Sequence, residues 1–403
     1  MELKEYTLDE LLPYEQPTKY IVESTKYDDS YKTPVLTAGK SFILGYTNET
    51  EGIFEKDKLP VIIFDDFTTA SQYVNFPFKV KSSAMKILNV NTELVLPKYI
   101  FYRMQIIHID HDTHKRYWIQ YYSKQKIAIP DLEEQAKIVA KIEEMFSQID
   151  EGIETLNKTK EQLKVYRNAV LNEAFLGNFT NDRHIMTDSF CEEATSEERE
   201  KLPDIPIEWK YIALANLGDL GRGKSKHRPR NDARLFENGK YPFLQTSEVK
   251  AASKYITEYT KMYGEFGLQQ SKLWKAGTLC ITIAANIAET AFLGIDACFP
   301  DSVVGFTPNE NINPWYIKYF IESQKLRLWA FAPATAQKNI NLDTLEKLII
   351  PYCMLEEQNM IVAEIENRMS VCDSIERTIE DALVHADALR YSVLKKAFEG
   401  GLV

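Results

Sequence analysis

Cysteine is scarce and unpatterned in this chain. Its 403 residues hold 5, Cys191, Cys280, Cys298, Cys353 and Cys372. No two stand in a CxxC, and an odd number cannot pair off. A disulfide framework and a structural zinc site are therefore not expected, and the reducing cytoplasm is the expected compartment. No stretch approaches the ~20 consecutive apolar residues that a membrane helix needs. The opening Met1-Glu2-Leu3-Lys4-Glu5 lacks the basic-then-apolar pattern of a secretory leader. The dipeptide Pro-Pro is absent altogether. With it goes the Asn/Asp-Pro-Pro-aromatic motif that methylation of an exocyclic amine would require. No Walker B context, helicase set or nuclease constellation is found; Glu2-Leu3-Lys4 is an ExK triplet of a very common kind. No complete catalytic apparatus is legible, so a non-enzyme without a cofactor of its own is expected.

What is present is a repeat. Leu132–Gly177 superposes on Leu355–Gly400 without a gap when 223 is added to each number, and 18 of the 46 aligned residues are identical. Chance at ordinary residue usage would give about three. Each copy opens on Leu-Glu-Glu-Gln, at Leu132–Gln135 and Leu355–Gln358. Each closes on Ala-Phe-x-Gly, at Ala174–Gly177 and Ala397–Gly400. Within the first copy Ile142, Ile149, Leu156, Leu163 and Val170 recur every seventh residue. Ile138, Met145 and Tyr166 fill part of a companion row that Gly152, Thr159 and Glu173 interrupt. The spacing predicts a long helix with a coiled-coil seam, roughly 65 to 70 Å if it runs the whole segment at 1.5 Å per residue. Asp131 and the acids Glu133 and Glu134 suit its N-terminus, and Gly177 its stop. The second copy carries a poorer seam of Ile365, Cys372, Ile379, Ala386 and Val393, with Ile361, Ile375, Ala382 and Leu389 beside it.

The repeat divides the chain into block 1–130, helix 131–177, linker 178–205, block 206–353 and helix 354–403. Short β-rich runs fill the blocks: Thr33–Thr37, Ser41–Tyr46, Pro60–Phe64, Phe76–Val80 and Ala84–Val90 in the first, then Tyr241–Thr246, Thr278–Ala284, Ala291–Ile295 and Ser302–Phe306 in the second. Pro97–Tyr102 and Pro314–Phe320 read alike at an offset of 217. The blocks are thus divergent copies as well. The expected fold is α+β: two globular α/β domains separated by two long antiparallel coiled-coil helices, with a pseudo-two-fold internal repeat. Net charge is −11, which at first disfavours a nucleic-acid partner. The excess acid lies in the helices and linker: residues 131–200 carry −9 and 352–403 carry −5, against −1 for 1–130 and +4 for 201–351. Local potential decides what binds, so the blocks remain free to present basic faces.

This layout resembles the specificity subunit of type I restriction–modification systems over nearly the full length. The resemblance is carried by the Pro-x-x-Leu-Glu-Glu-Gln openings, looser at Pro351-Tyr352-Cys353-Met354, and by the Ala-Phe-x-Gly closings. The second block adds Ile207-Glu208-Trp209-Lys210, Gly223–Asn231, Asp301–Phe306 and Gln337-Lys338-Asn339-Ile340. The first block lacks the Pro-x-x-Trp opening and has Lys115-Arg116-Tyr117 in place of Lys-Asn-Ile. It is similar to another variety of target recognition domain through Tyr14-Glu15-Gln16-Pro17 and Asp65–Ala70. The resemblance implies two target recognition domains, each reading half of a split, asymmetric site in double-stranded DNA. It implies helices that set the spacing and dock two methyltransferase subunits, marked by Leu132, Gln135, Ile142, Ile149, Leu355, Gln358 and Ile365. Two motor/nuclease subunits can join. S-adenosylmethionine, ATP and Mg²⁺ would belong to those partners.

Residue chemistry supplies the candidate contacts. Gly218–Ser225 matches GxxxxGK[ST] in full, but Lys226-His227-Arg228-Pro229 follows where a phosphate loop needs a helix, so nucleotide binding is not expected. The run Arg222, Lys224, Ser225, Lys226, His227, Arg228, Arg230, Asn231 reads instead as a DNA-contact loop or a solvated one, since Arg and Lys pair with phosphates and Arg reads guanine. Glycines at 221 and 223 would allow a close backbone approach. Gln337, Lys338 and Asn339 form a second candidate loop. In the first block His114, Lys115 and Arg116 stand at the corresponding place. Their neighbours His108, His111, Asp110 and Asp112 leave a metal site, a DNA-facing loop and a plain surface loop all open. Thr68, Thr69, Ser71 and Gln72 beside Asp65-Asp66 are candidates for base or backbone contact, or for a structural turn. Adjacent strand acids point to opposite faces, so a shared catalytic carboxylate site is not expected. A coiled-coil scaffold whose blocks bind protein rather than DNA is the competing reading.

Overall fold

The computed structural model describes residues 3–39, 41–107, 117–180, 202–331 and 339–401. The chain forms two compact units. One is Met1–Lys158 with Ile379–Val403, and the other is Thr159–Thr378.

The first unit is closed by its own ends: the strand Lys4–Thr7 pairs antiparallel with Lys126–Ile129, Lys4 opposite Ile129. Between them lie a four-stranded sheet, ordered Tyr14–Glu15, Met85–Asn89, Val61–Asp65, Ser71–Val74, and a three-stranded one, ordered Ile43–Thr47, Thr33–Leu36, Lys79–Val80. Val61-Ile62-Ile63-Phe64 is a continuous apolar run because this strand is buried on both faces. The helix Pro97–Met104 follows the last of these strands. Its Tyr99 and Ile100 share a core with Phe64, Trp118, Ile138 and Ile142, and with Leu394 and Ala397 of the second repeat.

The second unit repeats the plan. Lys210–Ala213 pairs antiparallel with Ile349–Tyr352 and closes the block. A five-stranded sheet is ordered Gly218–Arg222, Val303–Pro308, Leu279–Thr282, Thr290–Leu293, Tyr255–Ile256. A four-stranded sheet lies beside it. The helix Pro314–Ser323 corresponds to Pro97–Met104. The strands predicted from β-rich runs are present, with ends shifted by one to three residues. Neither closing strand pair was predicted; both are short and mixed in composition.

The two predicted long helices span Leu132–Ala174 and Leu355–Phe398. Asp131 caps the first, its Oδ1 accepting from the Glu134 amide at 2.9 Å. Gly177 stops it at φ +81, where a Cβ would also lie 2.3 Å from Pro206 Cγ. The heptad seam faces inward: Ile142, Val170, Ile365, Cys372, Ile379 and Val393 are buried. Within each unit the two helices run antiparallel. In the first unit Arg390 pairs with Asp150, while Ile142 meets the core that holds Leu394 and Ala397. In the second, Lys160 lies 3.9 Å from Glu376, Arg167 lies 2.6 Å from Asp373, and Phe179 lies under Arg368. The companion row divides: Ile138 and Ile361 near the helix starts are buried, while Tyr166, Ile375 and Leu389 further along are 47%, 39% and 51% exposed.

Candidate nucleic-acid interface

In the second unit the P-loop pattern dissolves into a strand. Gly218–Arg222 pairs residue by residue with Pro308–Val304, so its amides are spent on a sheet rather than turned toward a phosphate. The predicted close approach of Gly221 and Gly223 also has another object. A Cβ on Gly221 would meet the Trp274 ring at 2.6 Å, and one on Gly223 the Pro300 carbonyl at 2.2 Å. These glycines bring the chain against its own core, which corrects the expectation that they admit a ligand.

Beyond the strand the basic loop is braced from within. Arg222 Nε donates to the Asp301 carbonyl at 2.6 Å, and Arg230 Nη2 to the Asp301 carboxylate at 2.8 Å. Arg228 Nη1 donates to the carbonyls of Ser225 and His227. His227 Nε2 meets Asp232 Oδ2 at 2.7 Å, and Arg234 holds the same carboxylate. Hydrogen bonds from Arg234 and His227 hold the Asp232 carboxyl well below its ordinary range. Ser225 is buried against Tyr263. Lys224, Lys226 and Asn231 are exposed, and the two lysines are bonded through their backbones, to Phe299 and to Gln270. The candidates thus divide. Ser225 serves the loop's own shape, Lys224, Lys226 and Asn231 face outward, and Arg228 and Arg230 do both, each exposed while one of its nitrogens is bonded within the block. Asn339 is exposed and bridges Ala284. Gln337 and Lys338 lie outside the described residues.

In the first unit Asp65 and Asp66 both shape a turn. Asp65 Oδ1 accepts from the amides of Phe67 and Thr68, each at 2.9 Å. Asp66 is buried; its Oδ1 accepts from the Trp118 amide at 2.8 Å and its carbonyl from Tyr117 at 3.0 Å. Thr68 is exposed at the turn, and Thr69 takes φ +61. Ser71 Oγ accepts from Gln105 at 2.8 Å, and Gln72 sits opposite Ile63 in the sheet. His114, Lys115 and Arg116, like His108 and His111, lie outside the described residues. Among the described residues no group of three or more His, Cys, Asp or Glu could hold a metal ion.

The helix marks resolve differently from the expectation. Gln135 is fully buried. Its Oε1 accepts from the Leu96 amide at 2.8 Å, and its Nε2 donates to the carbonyls of Leu94 and Pro130 at 3.1 and 2.9 Å. Gln358, also fully buried, accepts from Asn313 at 2.8 Å and donates to Cys353 at 2.8 Å. Ile142 and Ile365 are fully buried too. These four side chains are consumed inside the chain and cannot form a docking surface, which is a correction. Ile149 and Leu355 are half-buried, and Leu132 is 39% exposed. The glutamines' role was not read from the sequence, although a polar residue one heptad ahead of Ile142 and of Ile365, on the seam itself and in both copies, was a signal for it.

A family model described as the type I restriction modification DNA specificity domain matches residues 206–385. The type I restriction enzyme EcoR124I/EcoR124II specificity subunit of Escherichia coli is 32% identical over 397 residues, covering 93% of this chain and 89% of that one. The chain belongs to the type I restriction-enzyme specificity subunits. The EcoBI specificity subunit of Escherichia coli is 26% identical over 285 residues, covering 68% of this chain and 58% of its own. The fold agrees. A chain from a structure concerned with complex assembly and conformational transition of the type I R-M system superposes at a TM-score of 0.69 with 17% identity, covering 99% of this chain and 98% of that one. The HsdS subunit from Thermoanaerobacter tengcongensis does so at 0.56 with 17% identity, covering 99% and 97%. In this specificity subunit no helix among the described residues is long and apolar enough to cross a membrane.

Proposed function

We propose that this specificity subunit reads a bipartite, asymmetric site in double-stranded DNA, one globular block per half, as a non-catalytic component acting in the cytoplasm. The observation that carries this reading is a duplicated scaffold under unlike surfaces. Both units have the closing strand pair, the buried glutamine and the antiparallel helix ends. Their described outward segments differ in sequence, the basic run Arg222–Asn231 in the second unit and the Asp65–Ala70 turn in the first, as suits two readers of different words. Phosphate contacts from Lys224, Lys226 and Arg230 would fix the second block on the duplex, with Asn231 and Asn339 placed to meet base edges.

The helices would dock two methyltransferase subunits through the apolar side chains left exposed along them. Val165, Tyr166, Val371 and Ile375 of the second unit, and Val384, Leu389 and Tyr391 of the first, are exposed apolar side chains on long helices. S-adenosylmethionine would then be bound by the methyltransferase, and ATP with Mg²⁺ by a motor/nuclease pair when it joins. Binding of the assembled complex to duplexes carrying both halves, either half or neither tests the reading. Each half alone should bind more weakly than the pair and better than neither. Equal affinity for all four duplexes at moderate salt would exclude it.

A further inference from the structure

The first unit carries a feature that its scaffold does not need. Phe67 is 48% exposed at the tip of the hairpin joining Val61–Asp65 to Ser71–Val74. Its turn is fixed on every side. The Asp65 carboxylate holds the amides of Phe67 and Thr68. The Asp65 amide donates to Ala70 at 2.8 Å, and Thr69 donates back to Asp65 at 2.9 Å. The ring is thus held in place by its turn while about half of it stays open to solvent.

Beside it opens a cavity of about 310 Å³ lined by Gln16, Asp66, Phe67, Ser82, Ser83 and Lys86. At its base the Lys86 side chain is only 3% exposed. Its ammonium has three hydrogens to donate. It meets Gln16 Oε1 at 3.2 Å and lies 3.6 Å from Asp66 Oδ2, with the Tyr14 ring 5.8 Å away. Gln16 and Asp66 account for two of the three hydrogens, leaving one for an acceptor in the cavity. Asp66 in turn ties the turn to Tyr117 and Trp118, the residues that follow Lys115-Arg116 in sequence.

We propose that the Phe67 turn and the Lys86-floored cavity form the base-contacting site of the first block, Phe67 packing against a base and the cavity receiving a hydrogen-bond acceptor of DNA. This rests on the DNA-reading function proposed above. An apolar ring suits a thymine methyl or a base face, and an ammonium suits guanine O6 and N7 or a phosphate oxygen. Asp66 is a positioning residue that holds the turn.

The test compares the methylated motif in DNA from cells expressing the wild-type chain, Phe67→Ala or Phe67→Tyr with the methyltransferase partner. Phe67→Ala should degenerate one or two adjacent positions in one half of the motif, with roughly fivefold to a hundredfold less discrimination there. The other half and the spacing should be unchanged, and Phe67→Tyr should restore most of the choice. If the contact is to phosphate alone, Phe67→Ala leaves the motif intact and only lowers the salt slope, and base contact is overturned. An unaltered motif with unaltered binding overturns the site as a whole. Loss of the complex on size-exclusion chromatography with unchanged binding by the chain that remains also overturns it, because Phe67 would then be a subunit contact. A wild-type chain that yields no split motif would instead sink the parent reading, so the two failures are separable.

Discussion

Gln135 Oε1 accepts a hydrogen bond from the backbone amide of Leu96 at 2.8 Å, across 39 positions of sequence. The same side chain closes on the carbonyls of Leu94 and Pro130. One buried amide thus locks the start of the long helix to the residue that precedes Pro97. Gln358 does the same for Asn313 and Pro314. Gln135→Ala would leave one buried and two half-buried backbone groups without this partner and should destabilise the first unit by about 2 to 3 kcal/mol. Gln135→Glu should also destabilise, since a carboxylate would oppose two carbonyls. Denaturant melts of the two variants check this, and a stability unchanged from wild type would refute the brace.

The far ends of the helices are held by aromatic contacts. Phe175 lies 5.0 Å from Tyr316 at 71°, and Phe398 lies 5.3 Å from Tyr99 at 80°. Burial pushes the Tyr99 phenol up to about 12, so this contact does not titrate near neutrality. Phe175 is 4% exposed, and Phe175→Ala should cost about 3 to 4 kcal/mol. Phe398 is only half-buried, so Phe398→Ala should cost less. Hydrogen exchange should show faster opening in the second unit for the first variant and in the first unit for the other.

Lysines and arginines of the basic loop should separate in a salt titration of the complex. Lys226→Ala should lower the slope of log affinity against log salt by about 0.9 if it meets one phosphate. Arg228→Ala should lower that slope less while still weakening binding, because its Nη1 also holds the carbonyls of Ser225 and His227 and so the shape of the loop. Equal slopes lost in both variants would contradict the division drawn between them.

The same loop should resist mild acid. Asp232 is held below its ordinary range by Arg234 and His227. A depressed carboxylate contributes its stabilisation above the unfolded value, near 3.9, and loses it only as pH falls through the lower folded value. Asp232 should therefore stay ionised throughout pH 5 to 8. Asp232→Asn should weaken binding to one half-site at every pH in that range, because the wild-type carboxylate is ionised across it. Binding equal to wild type anywhere between pH 5 and 8 would argue against this assignment.

The helices were legible because heptads are local: Ile142 to Val170 announced a seam, and Asp131 and Gly177 its ends. The second row of Tyr166, Ile375 and Leu389 was equally visible in sequence, but its exposure was not, since burial depends on which helix faces it. That Arg228 Nη1 bonds the carbonyls of Ser225 and His227 was not legible either, since a sequence does not show which backbone groups a guanidinium meets. Gly218–Ser225 matched a phosphate loop because a pattern carries no hydrogen-bond partners, and strand pairing with Val304–Pro308 decides the matter. Phe67 escaped notice for the opposite reason: a single phenylalanine is presumed buried, and its exposure is set by a turn.

Whether the two blocks read two separate words is tested most directly by the methylated motif in DNA from cells expressing this chain with its partner. A split motif of two unlike halves around an unspecified spacer is expected. Removing one heptad, Leu156–Gln162, should change that spacer or abolish methylation while leaving each half's sequence as it was. A continuous or palindromic motif, or methylation unchanged by the presence of this chain, would contradict it.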